Sequence, residues 1–301
     1  MAGISDWIKA FRLRTLPLSL SSIGMGGFLA YSQNVFEGPV FMLCVLTTLF
    51  LQILSNLAND YGDYVNGADS IFRVGPERAV QSGAITTKQM KLAIALFAIL
   101  SLCTGVSLLY QVRGLISLNV LGVFFIVGIL AIAAAITYTA GKKPYGYAGL
   151  GDMAVFVFFG PVAVCGTYYL QAGSLTLDLL LPAISCGLFS TGVLNVNNLR
   201  DINSDALVGK KSIPVRIGPV FGRIYHLALI SLAWLCATIY ILLYMNSIVN
   251  FMYVLTLPLF IKHLYSVYST KEPKLLDPYL KQLALSTLLF VLTFGIGISF
   301  F

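Results

Sequence analysis

Nine long apolar runs divide this chain, and they restrict its folds more than any other feature. They cover roughly 16–32, 39–58, 92–111, 115–138, 150–170, 178–199, 224–244, 248–269 and 282–300. Each is close to the ~20 residues a helix needs to cross a bilayer. Inside a bilayer every backbone polar group must find a partner within the protein, so spans are helices or a closed barrel. Barrel strands would alternate over about ten residues, whereas these runs are longer and continuously apolar. Composition agrees: 10% of residues are charged and 58% hydrophobic, against about 25% charged in a soluble domain. The expected fold is an all-α integral membrane protein of about nine transmembrane helices, one transmembrane domain over 1–301. The stretch holding Asp6, Lys9, Arg12 and Arg14 reads as an amphipathic lead-in to the first span rather than a cleavable signal peptide.

Nine spans place the connecting segments alternately on two sides. Of the 19 Lys and Arg residues, only Arg113 falls on the side opposite the N-terminus. Basic residues mark cytoplasmic loops. The expected topology is multi-pass in the cell's inner (plasma) membrane, with a cytoplasmic N-terminus and an outer C-terminus. The net charge of +7 is then a sidedness signal that also attracts anionic lipid heads, and nothing in it points to nucleic acid. Cys44, Cys103, Cys165, Cys186 and Cys236 lie in separate spans with no Cys-x-x-Cys, which argues against a disulfide framework or thiolate metal site. His226 and His263 sit singly near span ends and read as packing or interface residues.

Only 12 residues are acidic, and they cluster. Burying a carboxylate at the bilayer centre costs roughly 2.5–3.5 kcal/mol on insertion scales, so a group of them needs compensation. The segment NLANDYGDYVNGAD after the second span carries Asn56, Asn59, Asp60, Asp63, Asn66 and Asp69. In a continuing helix, Asn59 and Asp63 share a face. The segment NVNNLRDINSD after the sixth span carries Asn197, Asn198, Asp201 and Asp205, with Asn197, Asp201 and Asp205 at successive i, i+4 positions. Helix caps and solvated loop acids would explain one such cluster; two on matching helix ends are harder to explain that way. Both are rich in oxygen and free of His and Cys, the donor chemistry of Mg²⁺. Each is followed by a basic, Gly-containing loop, and the four-span offset makes the two helices run the same way, a weak parallel repeat. Arg78, Lys142, Lys210, Lys211 and Arg216 lie on the same side. Carboxylates that hold Mg²⁺, with Arg and Lys around them, suit a diphosphate, and an enzyme in the membrane would hold its lipid tail.

These motifs resemble the UbiA superfamily of intramembrane aromatic prenyltransferases over most of the chain. Asn59, Asp60 and Asp63 match the first family motif, N-D-x-x-D-x-x-x-D, with Gly67 in the last place and Asp69 displaced by two. Asp201 and Asp205 match D-x-x-x-D, and Tyr138 and Lys142 match Y-x-x-x-K. GPERAVQSG, the KPYGYAGLGD run and NNLRDINSDALVGKKSIPVRIG resemble the branch that prenylates 1,4-dihydroxy-2-naphthoate in menaquinone synthesis.

The resemblance implies nine helices around a central cavity facing the cytoplasm. It implies transfer of a polyprenyl chain from polyprenyl diphosphate to the naphthoate ring, with loss of diphosphate and CO₂, giving demethylmenaquinone. In this reading Asn59, Asp63, Asp69, Asp201 and Asp205 hold Mg²⁺. Asp60, Asp63, Asp201, Asp205, Lys142 and Tyr138 carry the chemistry, and Asn56, Asn59, Arg78, Asn197, Asn198 and Lys211 bind the diphosphate and its metal. Tyr138, Tyr61, Phe156 and Phe159 are candidates to face an allylic cation. Two alternatives stay open: a UbiA-type enzyme for another aromatic or tetrapyrrole acceptor, and a secondary transporter. A transporter would place polar groups near the bilayer midplane, whereas these acids sit at helix ends.

Overall fold

The computed structural model describes residues 2–67 and 78–299. Eleven helices in chain order place the site: α1 Ile4–Phe11, α2 Leu16–Ser32, α3 Gly38–Val65, α4 Thr87–Gln111, α5 Leu118–Thr137, α6 Gly151–Ala172, α7 Leu177–Arg200, the short α8 Ile202–Leu207, α9 Ile213–Tyr244, α10 Ile248–Ser269 and α11 Pro273–Ser299. Eight of them are long and apolar enough to cross a membrane. The 17-residue α2 is a ninth apolar helix, about 25 Å long at 1.5 Å per residue. The chain is an all-helical membrane protein, and α3 and α7 end on the same side, as the motif spacing anticipates.

Helix boundaries run past the apolar runs on that side. Helix α9 starts at Ile213 rather than near 224, because its first turns continue beyond the apolar stretch. It kinks at Gly218, whose φ of 81° departs from helical geometry just before Pro219; kinks of this kind are expected at such residues. Helix α11 likewise begins well before 282 and so brings Asp277 to the start of its regular turns. Within α6, the stretch Phe158–Cys165 holding Pro161 is wound as a π-helix. Pro161 cannot donate its own helix hydrogen bond, and the wider turn accommodates the loss.

The core lies among α2, α6, α7, α9, α10 and α11, where Phe189, Tyr253, Phe260, Phe290 and Phe294 are fully buried. Helix α5 has no buried residue: it lies at the periphery, packed on α3 and α4. His226 and His263 are not isolated: their Nε2 atoms meet at 3.0 Å between α9 and α10, a buried pair in which one ring donates to the other. All five cysteines are free thiols.

Candidate active site

A cavity of about 860 Å³ joins both acidic segments. Its polar end is lined by Asn56, Asn59, Asp60 and Asp63 from α3, and by Asn197, Asp201 and Asp205 from α7 and α8. Its walls continue along α4, α5 and α6 through apolar side chains such as Leu109, Phe124, Ile129 and Phe158. Tyr138 and Phe159 also face it. Tyr61 instead packs under the Lys91 ammonium at 5.4 Å, and Phe156 packs on Gly187.

Each member of the first motif has a distinct role. The Asp60 carboxylate is buried and accepts from the backbone N–H groups of Ala79 (3.2 Å) and Val80 (3.4 Å), so it pins the following loop to α3. Beside these residues stands Arg78, whose Nη2 lies 2.5 Å from Asp63 Oδ2 and whose Nη1 bonds the Asn59 carbonyl. Asp63 Oδ1 accepts from the Tyr147 hydroxyl at 2.9 Å. Asn59 Oδ1 accepts from Thr139 at 3.1 Å. Asn56 turns outward from the acids: its amide donates to the Phe11 carbonyl (2.9 Å) and Thr15 hydroxyl (3.1 Å), anchoring the N-terminal segment at the cavity rim. Gly62 allows α3 to reach the segment after α5, since a Cβ there would sit 2.5 Å from the Thr139 carbonyl carbon.

The second motif keeps its i, i+4 face although α7 ends at Arg200. The Asp201 N–H bonds the Asn197 carbonyl (3.0 Å) and the Asp205 N–H bonds the Asp201 carbonyl (2.8 Å), so the three side chains stay in one row. Arg200 is the largest fully buried side chain of the described residues. It forks onto Asp201, Nε to Oδ1 at 2.9 Å and Nη2 to Oδ2 at 2.6 Å, and Nη2 also donates to Asn197 Oδ1 at 2.8 Å. Lys210 lies 3.1–3.2 Å from the two Asp205 oxygens.

Burial pushes the Asp205 carboxyl above its ordinary range, and Lys210 only partly offsets this. For Lys210, burial alone would lower the pKa, but Asp205, Tyr138, Asp63 and Asp201 together hold it above the usual lysine value, so it stays charged. Burial raises the Tyr138 phenol to about 12, leaving it neutral. Tyr147 is raised as well, by burial and by the neighbouring Asp63 carboxylate.

Several expected residues lie elsewhere. Lys142 is exposed and absent from the cavity wall. The Y-x-x-x-K spacing would place it one turn from Tyr138 only if the helix continued, but α5 ends at Thr137 and the chain turns at Gly141. Lys211 is exposed too, with its N–H bonded to the Tyr147 carbonyl at 2.9 Å. Lys210, Lys211 and Ser212 follow α8 in a non-helical segment and read buried, exposed, buried, the alternation of an extended chain, so Lys210 takes the inward place. Asn198 is buried but outside the cavity lining. Asp69 lies outside the described residues. Sequence reasoning passed over Tyr147, Arg200 and Asp277; for Arg200 the available signal was an arginine three residues from Asn197 at the end of a span.

The UbiA prenyltransferase family model matches residues 19–298 of the chain. A 1,4-dihydroxy-2-naphthoate octaprenyltransferase from Haemophilus influenzae is 46% identical over 297 residues, which cover 97% of this chain and 95% of that protein. One of the same name from Escherichia coli is 43% identical over 292 residues, covering 97% and 94%. A solved UbiA homolog from Archaeoglobus fulgidus bound to GPP and Mg²⁺ has a TM-score of 0.65 at 15% identity, covering 98% of this chain and 99% of that one; at that identity it speaks to the fold. With its two acidic motifs on one cavity and a family match over nearly its whole length, this chain belongs to the UbiA prenyltransferase family.

Proposed function

We propose that the chain transfers a polyprenyl group from a polyprenyl diphosphate to 1,4-dihydroxy-2-naphthoate, releasing diphosphate and CO₂. The observation that carries this reading is one cavity that runs from paired acids and bases into apolar helix walls. The naphthoate-prenylating relatives, at 46% and 43% identity, favour this acceptor over others of the family.

The donor set fits Mg²⁺. Asn59, Asp63, Asp201 and Asp205 offer only oxygen, and all four line the cavity. Among the described residues no three His, Cys, Asp or Glu side chains close into a metal cage; Mg²⁺ held by these residues would complete its shell with water and substrate phosphate. When bound, Mg²⁺ supplies Lewis-acid stabilisation of charge on the diphosphate.

The chain's own groups do the rest. Arg78 and Lys210, each already beside a carboxylate, complement the negative charge gathering on the leaving diphosphate. The allylic C–O bond breaks and its electron pair leaves with the diphosphate. The aromatic faces of Tyr138 and Phe159 stabilise the allylic cation. The electron-rich naphthoate ring donates a pair to form the new C–C bond, and the carboxylate departs as CO₂, its bonding pair restoring the ring as the prenylated naphthoquinol, the reduced form of demethylmenaquinone. Apolar walls along α4, α5 and α6 hold the tail and exclude water that would trap the cation. The site faces the cytoplasm, in the inner membrane, with the lipid tail lying along the α5 wall of the cavity.

The test is incubation of purified protein with Mg²⁺, a polyprenyl diphosphate and a panel of aromatic acceptors, with mass analysis of products. A prenylated, decarboxylated naphthoquinol is expected. Prenylation of a different acceptor alone would assign the chain to another branch.

A further inference from the structure

Arg200 binds more than Asp201. Its Nη1 also bonds Asp277 Oδ1, at the start of the regular turns of α11. Asp277 in turn accepts from Arg14 Nη1, with Oδ2 at 3.1 Å and Oδ1 at 3.4 Å. The row Asp201–Arg200–Asp277–Arg14 links α7, α11 and the segment before α2 at the cavity rim. It is graded in exposure: the Arg200 side chain is 2% exposed and Asp201 11%, while Asp277 and Arg14 are 32% and 34%. The inner pair lies in the protein and the outer pair meets water, where an ion pair is worth little.

This arrangement is odd as a helix tie alone. A buried Arg on one carboxylate would neutralise the acid most exposed to the cavity and draw its charge away from any cation. Here the single Arg200 charge is divided between two carboxylates, so it does not neutralise Asp201 alone, and Arg14, a third exposed, offsets Asp277 at the water-facing end of the row. The fork also engages both Asp201 oxygens from one side, which sets the plane of the carboxylate at the cavity wall. Only a guanidinium has the rigid set of donors to hold Asp201, Asn197 and Asp277 together.

We infer that Arg200 and Asp277 are positioning residues for the second acidic motif: Arg200 sets the Asp201 carboxylate toward the cavity, and Asp277 shares the Arg200 charge so that Asp201 keeps its affinity for a divalent cation. The inference rests on the reading of Asp201 as a metal-side carboxylate. It makes the N-terminal turn of α11, 76 residues past Asp201, part of the site's charge balance.

The experiment measures Mn²⁺ binding to the full chain with inorganic pyrophosphate, by the electron paramagnetic resonance of free Mn²⁺, and melting temperature without metal. Asp277→Asn and Arg200→Lys are each expected to raise half-saturating Mn²⁺ about tenfold or more. Asp277→Glu, which keeps the charge, should stay within about threefold of the parent. Melting should fall less in proportion, and prenyl transfer at saturating Mn²⁺ should recover for Asp277→Asn. Parental Mn²⁺ affinity in folded Asp277→Asn or Arg200→Lys would overturn the inference and leave the row as a tie between helices. If Asp277→Asn does not fold, Arg200→Lys decides alone, and if neither folds the parental affinity of Asp277→Glu against that of Asp277→Gln decides. Absence of Mn²⁺ binding by the parent itself would instead overturn the metal reading on which the inference stands.

Discussion

The Tyr147 hydroxyl donates to Asp63 Oδ1 at 2.9 Å across 84 residues of chain. The carbonyl of the same tyrosine accepts from the Lys211 N–H, and Arg216 Nη2 bonds the next carbonyl, Ala148, at 2.5 Å. The loop between α5 and α6 therefore straps the first acidic motif to the segment that follows the second. A hydrogen bond to a charged group is worth roughly 1.5–3 kcal/mol. Tyr147→Phe should lower kcat/KM about 10- to 100-fold, with a fall in melting temperature of a few degrees, in keeping with the loss of one hydrogen bond. Parental kinetics in the variant would show that the Tyr147 hydroxyl is not needed to place Asp63.

Metal dependence follows from the all-oxygen donor set at the cavity. EDTA should abolish prenyl transfer, and Mg²⁺ or Mn²⁺ should restore it. Zn²⁺ should restore less. Full turnover in chelator would remove the metal from the mechanism.

Asp63→Asn and Asp201→Asn keep side-chain size and remove one negative charge each. The tail, held by apolar contact worth roughly 0.8 kcal/mol per buried CH₂, touches neither. Each variant should lose about two or more orders of magnitude in kcat, and the double variant should be little worse than either, because residues that act as one unit are not additive. Asp178→Asn, at the opposite end of α7, should be nearly silent. Near-parental turnover in either motif variant at saturating Mg²⁺ would take that residue out of the site.

Sidedness is testable across α9, whose ends lie on opposite faces if it spans the bilayer. Ala206 and Asn246 are exposed beyond its two ends. An impermeant maleimide should label Ala206→Cys only from the cytoplasm and Asn246→Cys only from outside. Labelling of both from one face would break the expected topology.

Much of the cavity's polar lining could be read along the chain. Asn59 and Asp63, and Asn197, Asp201 and Asp205, keep the helical spacing that their sequence implies, and both rows line one cavity. Lys142 departs from it for a local reason: an i, i+4 match has meaning only while the helix lasts, and α5 stops at Thr137, before either Tyr138 or Lys142, with a turn at Gly141 between them. Of the neighbours Lys210 and Lys211, composition and spacing favour neither; the extended backbone turns one in and the other out.

By itself, the sequence determined that the chain lives in a membrane, that its long apolar runs are helices, and that both acidic rows lie at one end of them. Those properties are one-dimensional: a bilayer imposes a length on each apolar run, and alternate crossings impose the side. Which charges meet was decided by the tertiary structure. Arg200 reads as one more basic residue at a span end until α11 brings Asp277 against it, and Tyr147 reads as a loop aromatic until the strap reaches Asp63. Contacts between distant elements depend on how helices pack, and a buried charge can keep its place only where that packing delivers a partner.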